Sequence, residues 1–130
     1  MIILAMGGVV LFFLKDLERK KRRESLRGRV SLSIQDNYKL LNTQDIDYGD
    51  FVFALKRVAQ VLHIEINDIK ITDKATVYEV DIPFLIDSDI DRLIGEVYEC
   101  KILKDINSIG EVSIRDIVIC MIEVKKRYKA

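Results

Sequence analysis

Apolar residues recur at helical spacing in three stretches of this chain, and residues that start helices precede each stretch. Phe51, Ala54, Leu55, Val58 and Leu62 fall on one helix face behind Gly49 and Asp50. Ile90, Leu93, Ile94, Val97 and Tyr98 do the same from about Asp89 to Ile102, behind Asp87 and Ser88. The third stripe is Ile114, Ile117, Val118, Met121 and Ile122, and the Ser113-Ile114-Arg115-Asp116 segment that opens it has the form of a capping box. Lys125, Lys126 and Arg127 then suit the negative end of that helix's dipole. A short further piece over 104–109 is ended by Gly110. Amphipathic helices of this kind bury their stripes only against one another, which predicts an all-α body over residues 50–130.

Between the first two helices the pattern is mixed. From His63 to Val80 the isoleucines 64, 66, 69 and 71 are scattered among Asn67, Asp68, Thr72 and Asp73, as in a long loop pinned to a core. Ile64-Glu65-Ile66 and Val77-Tyr78-Glu79-Val80 also alternate, so an α+β domain with a small sheet is the alternative fold. Pro83 sets a turn or extended entry into the helix that follows. Upstream, Val30 to Ile34 alternates like a short strand, and residues 35–50 have the Asn, Asp and Gly content of a loop.

The amino-terminal end has a different character. Residues 2–14 are apolar throughout, and Lys15, Arg19, Lys20, Lys21, Arg22, Arg23, Arg27 and Arg29 follow at once. Crossing a bilayer takes about 20 apolar residues, or roughly 17 at the lower limit, so this run spans only with thinning or with snorkelling of its basic flank. A secretory signal places its charge before the apolar run, whereas here it comes after, which predicts a retained anchor with the rest of the chain on the cytoplasmic side. The alternatives are a buried terminus, an exposed one that mediates oligomerisation, and a soluble cytoplasmic protein. Residues 15–49, charged on nearly every face at the start, are expected to form a solvated stalk and linker near anionic headgroups.

Charge narrows the function classes. Lys plus Arg and Asp plus Glu each number 21, yet from Asp50 to Val124 carboxylates outnumber basic residues roughly two to one. That balance disfavours nucleic acid and favours basic partners. His63 is the only histidine, and Cys100 and Cys120 sit among apolar neighbours, so no zinc set or Ser/His/Asp triad assembles and an enzyme is the weakest class. Ser88 stands apart: its hydroxyl lies between Asp87 and Asp89, with Asp91 just beyond, at an expected helix start facing solvent. A hydroxyl placed so suits attachment of a group by another enzyme better than catalysis.

From Asp50 to about Arg127 the chain resembles the acyl carrier protein family. The resemblance rests on order and spacing: the helix Phe51 to Leu62, a long loop, Asp73-Lys74-Ala75-Thr76-Val77 resembling the loop segment before the carrier site, Asp87-Ser88 where the family places Asp-Ser-Leu, and Val112 to Val118 where it places Thr-Val-Gly-Asp. Asp89 stands where the family has an apolar residue, and Leu85-Ile86 replaces its Leu-Gly. A second register sets Asp47-Tyr48 in the place of Asp-Ser, which would make that copy inert.

The resemblance implies a small four-helix bundle that is not an enzyme. It implies 4'-phosphopantetheine on Ser88 beside Asp87, loaded by a phosphopantetheinyl transferase and carrying an acyl or aminoacyl group to acyl-transfer or synthase enzymes. Asp89, Asp91, Glu96 and Glu99 would then form a docking face for their basic patches. The other reading is an unmodified interaction or assembly subunit associated with the membrane.

Overall fold

The structure is a computed structural model that describes residues 2–41, 45–85, 88–99 and 112–129. Five α-helices lie among the described residues: α1 (Ile2–Leu26), α2 (Ile34–Leu41), α3 (Tyr48–Leu62), α4 (Asp89–Glu99) and α5 (Ile114–Lys129). Two short 3₁₀ turns, Ile66–Asp68 and Ala75–Tyr78, interrupt the loop between α3 and α4. No strand occurs among the described residues, so the all-α class holds and the small-sheet alternative reduces to one isolated antiparallel bridge, Lys74 to Ser113. The expected piece over 104–109 and Cys100 lie outside the described residues.

The helical bundle forms because the three stripes meet. Phe51, Leu55, Val58 and Leu62 of α3, Leu93 of α4, and Ile114, Ile117 and Val118 of α5 are all fully buried in one core. Local chemistry fixes where the helices start. Asp47 caps α3 by accepting from the Asp50 N–H at 3.2 Å. At α5 the capping box closes both ways: the Ser113 hydroxyl accepts from the Asp116 N–H at 3.1 Å, and the Asp116 carboxylate accepts from the Ser113 N–H at 3.0 Å.

The long loop is tied down at both ends. Ile69, Ile71, Ala75 and Tyr78 drop into the core, while Ile64 and Ile66 pack against its edge. Its backbone pairs with the start of α5 through Ala75 N–H to the Val112 carbonyl (2.8 Å) and Ile114 N–H to the Asp73 carbonyl (2.9 Å). Tyr78 adds a side-chain tie, donating to the Asp73 carboxylate at 2.7 Å and accepting from the Lys70 N–H at 2.9 Å. Burial, reinforced by the Asp73 bond, pushes the Tyr78 hydroxyl pKa well up, so it stays a donor.

Expectations for residues 2–49 change at four points. Val30 to Ile34 is not a strand, and the Asn-rich stretch after it is not all loop: α2 begins there because the Ser33 hydroxyl accepts from the Asp36 N–H at 3.0 Å. The basic segment is not a solvated stalk, since Glu18, Arg22 and Leu26 are buried along one face of α1 at four-residue intervals. Leu26 and Leu41 belong to the same core as the bundle. Finally, among the described residues no helix is long and apolar enough to cross a membrane, because the charges from Lys15 onward cut the apolar run short.

Asn37 is the buried clasp of α2. Its amide donates to the Ile69 carbonyl at 2.8 Å and accepts from the Ile71 N–H at 2.9 Å, which gives both loop groups the partner a sheet would have supplied. Asn37→Ala strips both partners, and the expected loss is about 2–4 kcal/mol. Urea unfolding with an unchanged m-value checks this; a loss below about 0.5 kcal/mol would show that the clasp is not used.

Candidate functional site

The start of α4 is where the sequence places the candidate serine, and it is also where α1 docks. Ser88 is the amino-terminal cap of α4. Its hydroxyl accepts from the Asp91 N–H at 3.1 Å and its carbonyl from the Arg92 N–H at 3.2 Å. The residue is partly exposed, while Ile90, Leu93, Ile94 and Val97 face the core. Asp and Ser at this corner thus do what their chemistry favours, stopping the extended entry and opening the helix.

The next residue departs from expectation. Asp89 is fully buried and cannot belong to an exposed docking face. Its carboxylate meets three cations from α1: Lys15 Nζ at 3.2 Å, Arg19 Nε at 3.4 Å and Arg22 Nη1 at 3.2 Å. Its backbone N–H donates to Glu18 Oε1 at 2.8 Å, so α1 also caps the first turn of α4. Burial alone would raise the Asp89 pKa, but hydrogen bonds and charge from Lys15, then from Arg22, outweigh it and hold the carboxyl below the ordinary range.

Arg22 is the hub. Fully buried, it donates through Nε to the Tyr78 carbonyl (2.8 Å), through Nη1 to the Leu62 carbonyl (2.8 Å) and to Asp89, and through Nη2 to Glu18 (3.1 Å). One guanidinium therefore joins α1 to the last turn of α3, the 3₁₀ turn at Ala75–Tyr78 and the first turn of α4. Sequence reasoning missed this because Arg22 stands in a run of basic residues that look alike. The usable signal was the four-residue spacing of Glu18, Arg22 and Leu26, with a carboxylate placed to pair within the helix.

The other predicted residues separate. Asp91 is exposed at the first turn of α4. Glu96 is partly exposed and pairs weakly with Arg57 of α3 at 3.8 Å. Asp87 and the side chain of Glu99 lie outside the described residues. Tyr48 of the second register begins α3 and packs edge-on against Tyr38 at 5.0 Å. His63 ends α3 with a left-handed backbone, and its main-chain N–H, not its ring, takes the Gln60 carbonyl at 3.3 Å. Burial, then the charge of Arg19, lowers its pKa, which favours the neutral ring. Cys120 is a buried thiol donating to the Glu96 carbonyl. Among the described residues no group of His, Cys, Asp and Glu could hold a metal ion.

Chemically, the corner offers a reachable hydroxyl, a helix amino terminus, and a cluster in which three cations face the two carboxylates of Glu18 and Asp89. Within the cluster the cations exceed the carboxylates by one, and Asp91 adds a further carboxylate on the same first turn. Comparisons with family models, with curated proteins and with solved structures find no match to this chain.

The cluster has a pH signature. A carboxyl whose pKa is depressed by folding stabilises the fold above its unfolded value of about 3.9, and that contribution is lost as pH falls through the folded value. Stability measured by denaturant is expected to fall from about pH 4 downward, with a shallower fall in Asp89→Asn. An unchanged acid slope in that variant would show that Asp89 carries none of it.

Proposed function

We propose that this chain is a non-catalytic carrier protein of the acyl carrier type, bearing 4'-phosphopantetheine on Ser88 and held at a membrane through the apolar end of α1. The observation that carries the proposal is Ser88 itself, a partly exposed cap hydroxyl at the start of α4, after a helix and a long pinned loop. The Lys74–Ser113 bridge supports it too, because it ties the loop before the serine to the start of the last helix, the two segments in which the sequence resembles the family. In this reading α3, α4 and α5 are three helices of a four-helix carrier arrangement, and the short piece expected over 104–109 lies outside the described residues.

When bound, 4'-phosphopantetheine supplies a thiol that holds an acyl or aminoacyl group as a thioester. The residues around Ser88 suit its phosphodiester. The cap hydroxyl oxygen keeps the Asp91 N–H within reach after esterification, and Lys15 and Arg19 stand beside Asp89, one residue on. The exposed Asp91 and the partly exposed Glu96 remain as acidic groups for basic partner enzymes, the transferase first among them. Membrane attachment on the cytoplasmic side draws on the apolar run followed by basic residues.

The burial of Asp89 favours a second reading, an unmodified assembly subunit. The acidic residue next to the serine is spent on the contact with α1, and α1 covers that side of the corner.

The two readings separate by intact mass. Coexpression with a phosphopantetheinyl transferase is expected to add about 340 Da to the full chain, the mass of the arm. Ser88→Ala is expected to abolish that gain at a stability cost of about 1 kcal/mol, the worth of a cap hydroxyl. No gain on the native chain would favour the assembly subunit, and equal gain on the variant would place the modification elsewhere.

A further inference from the structure

The exposed surface of α1 is unusual in a way the carrier reading does not need. Val9, Val10, Leu11, Phe12 and Phe13 are all exposed, Phe12 and Phe13 by 69% and 67%. Successive helical residues turn by about 100°, so five in a row encircle the axis. A second copy or a groove in a protein partner would cover one face and leave the opposite one in water. A surrounding apolar solvent covers all of them, which is what a helix apolar all round requires.

The charges after this sleeve name the solvent. Lys20, Lys21, Arg23 and Arg27 are exposed, and Lys20 lies about 9 Å along the axis from Leu14, inside a Debye length of about 10 Å. That arrangement complements anionic headgroups. The apolar run 2–14 extends about 20 Å, which suits one leaflet of a hydrocarbon core about 30 Å thick and does not cross it.

Ser88 is fixed close to the end of the sleeve. Lys15, the first residue after it, holds Asp89, and Glu18 accepts the Asp89 N–H. Glu18 is four residues past Leu14, about 6 Å along the axis, and helical side chains lean toward the amino terminus, which brings the contact nearer still. A second feature lies on the same segment. Phe84, four residues before Ser88, is 91% exposed on a left-handed backbone (φ 68°) that a bulky residue seldom adopts. An aromatic ring held out in water by a strained backbone is accounted for where the ring enters a lipid interface.

We infer that α1 seats in an anionic leaflet and that its ion-pair cluster holds Ser88 at the lipid boundary, with Phe84 dipping into the interface. Resting on the carrier reading only for what Ser88 bears, this placement selects acyl groups whose chains partition into the bilayer.

Vesicles of phosphatidylcholine, with and without phosphatidylserine and doped with a nickel-chelating lipid, test the inference on the full chain. The native chain is expected to float with the anionic vesicles and at least tenfold less with neutral ones. Phe12→Asp with Phe13→Asp is expected to remove flotation at least tenfold without loss of helical signal, and Phe84→Ser to weaken it by a smaller factor. With Cys100 and Cys120 replaced, a spin label at Ser88→Cys is expected to relax faster against the nickel lipid than one at Tyr48→Cys, at the far end of α3. Absence of flotation, a dimer abolished by the Phe12 and Phe13 substitutions without lipid binding, or faster relaxation at position 48 would overturn the inference. None of these readouts needs a modified serine, so flotation without a mass gain would remove the carrier reading alone.

Discussion

A guanidinium buried without partners would be among the costliest groups a chain of this size could fold around, and the structure depends on how Arg22 avoids that cost. Its donors meet two backbone carbonyls and two carboxylates, so the charge and its N–H groups are satisfied together. Each partner had its own need. The Leu62 carbonyl belongs to the last turn of α3, where no helical N–H follows to take it, and the start of α4 needs acceptors for its first N–H groups. One side chain thus closes the end of one helix, steadies the start of another and fastens a third across both. Removing one member of such a buried set costs about 3–5 kcal/mol, because the others are left charged and dry. The cluster specifies where α1 sits more than it adds stability in itself.

That placement decides what surrounds Ser88. Were α1 a free stalk, the serine would stand at the open tip of a small acidic bundle. Docked as it is, α1 brings Lys15 and Arg19 to the residue beside the serine and cancels the Asp89 charge that an open tip would have displayed. In the proposed carrier this exchanges a wide acidic face for a narrower one, Asp91 and Glu96, next to a basic edge. Partner choice at such a corner would rest on both signs of charge. Because α1 is one continuous helix from apolar sleeve to core, whatever holds the sleeve bears on where the serine sits.

Much of this was legible in the sequence, and the exceptions share a cause. The stripes of α3, α4 and α5 follow a period that only a helix produces, and their capping residues, Asp47 apart, stood in plain sight as Ser88 and the Ser113–Asp116 box. Ser88 was placed correctly at a helix start because capping is local chemistry. What could not be read were long-range polar contacts. Arg22, Glu18 and Asp89 look like solvated charges until a fold brings residues 18, 22 and 89 together, since hydropathy treats a buried ion pair as exposed. Asn37 misled in the same manner, an Asn-rich stretch reading as loop while one amide bridges two buried backbone groups. Local pattern accounts for Ser88 as a cap and no further, because capping alone explains a serine at this helix start.

Native-state hydrogen exchange tests most directly whether the Arg22 cluster welds α1 to the bundle. The backbone amides of residues 18–26 are predicted to exchange only with opening of the α3 core, at the same free energy as those of Leu55 and Val58. Rapid exchange of 18–26 while α3 stays protected would contradict it, leaving α1 a loosely attached arm and Ser88 without its basic edge.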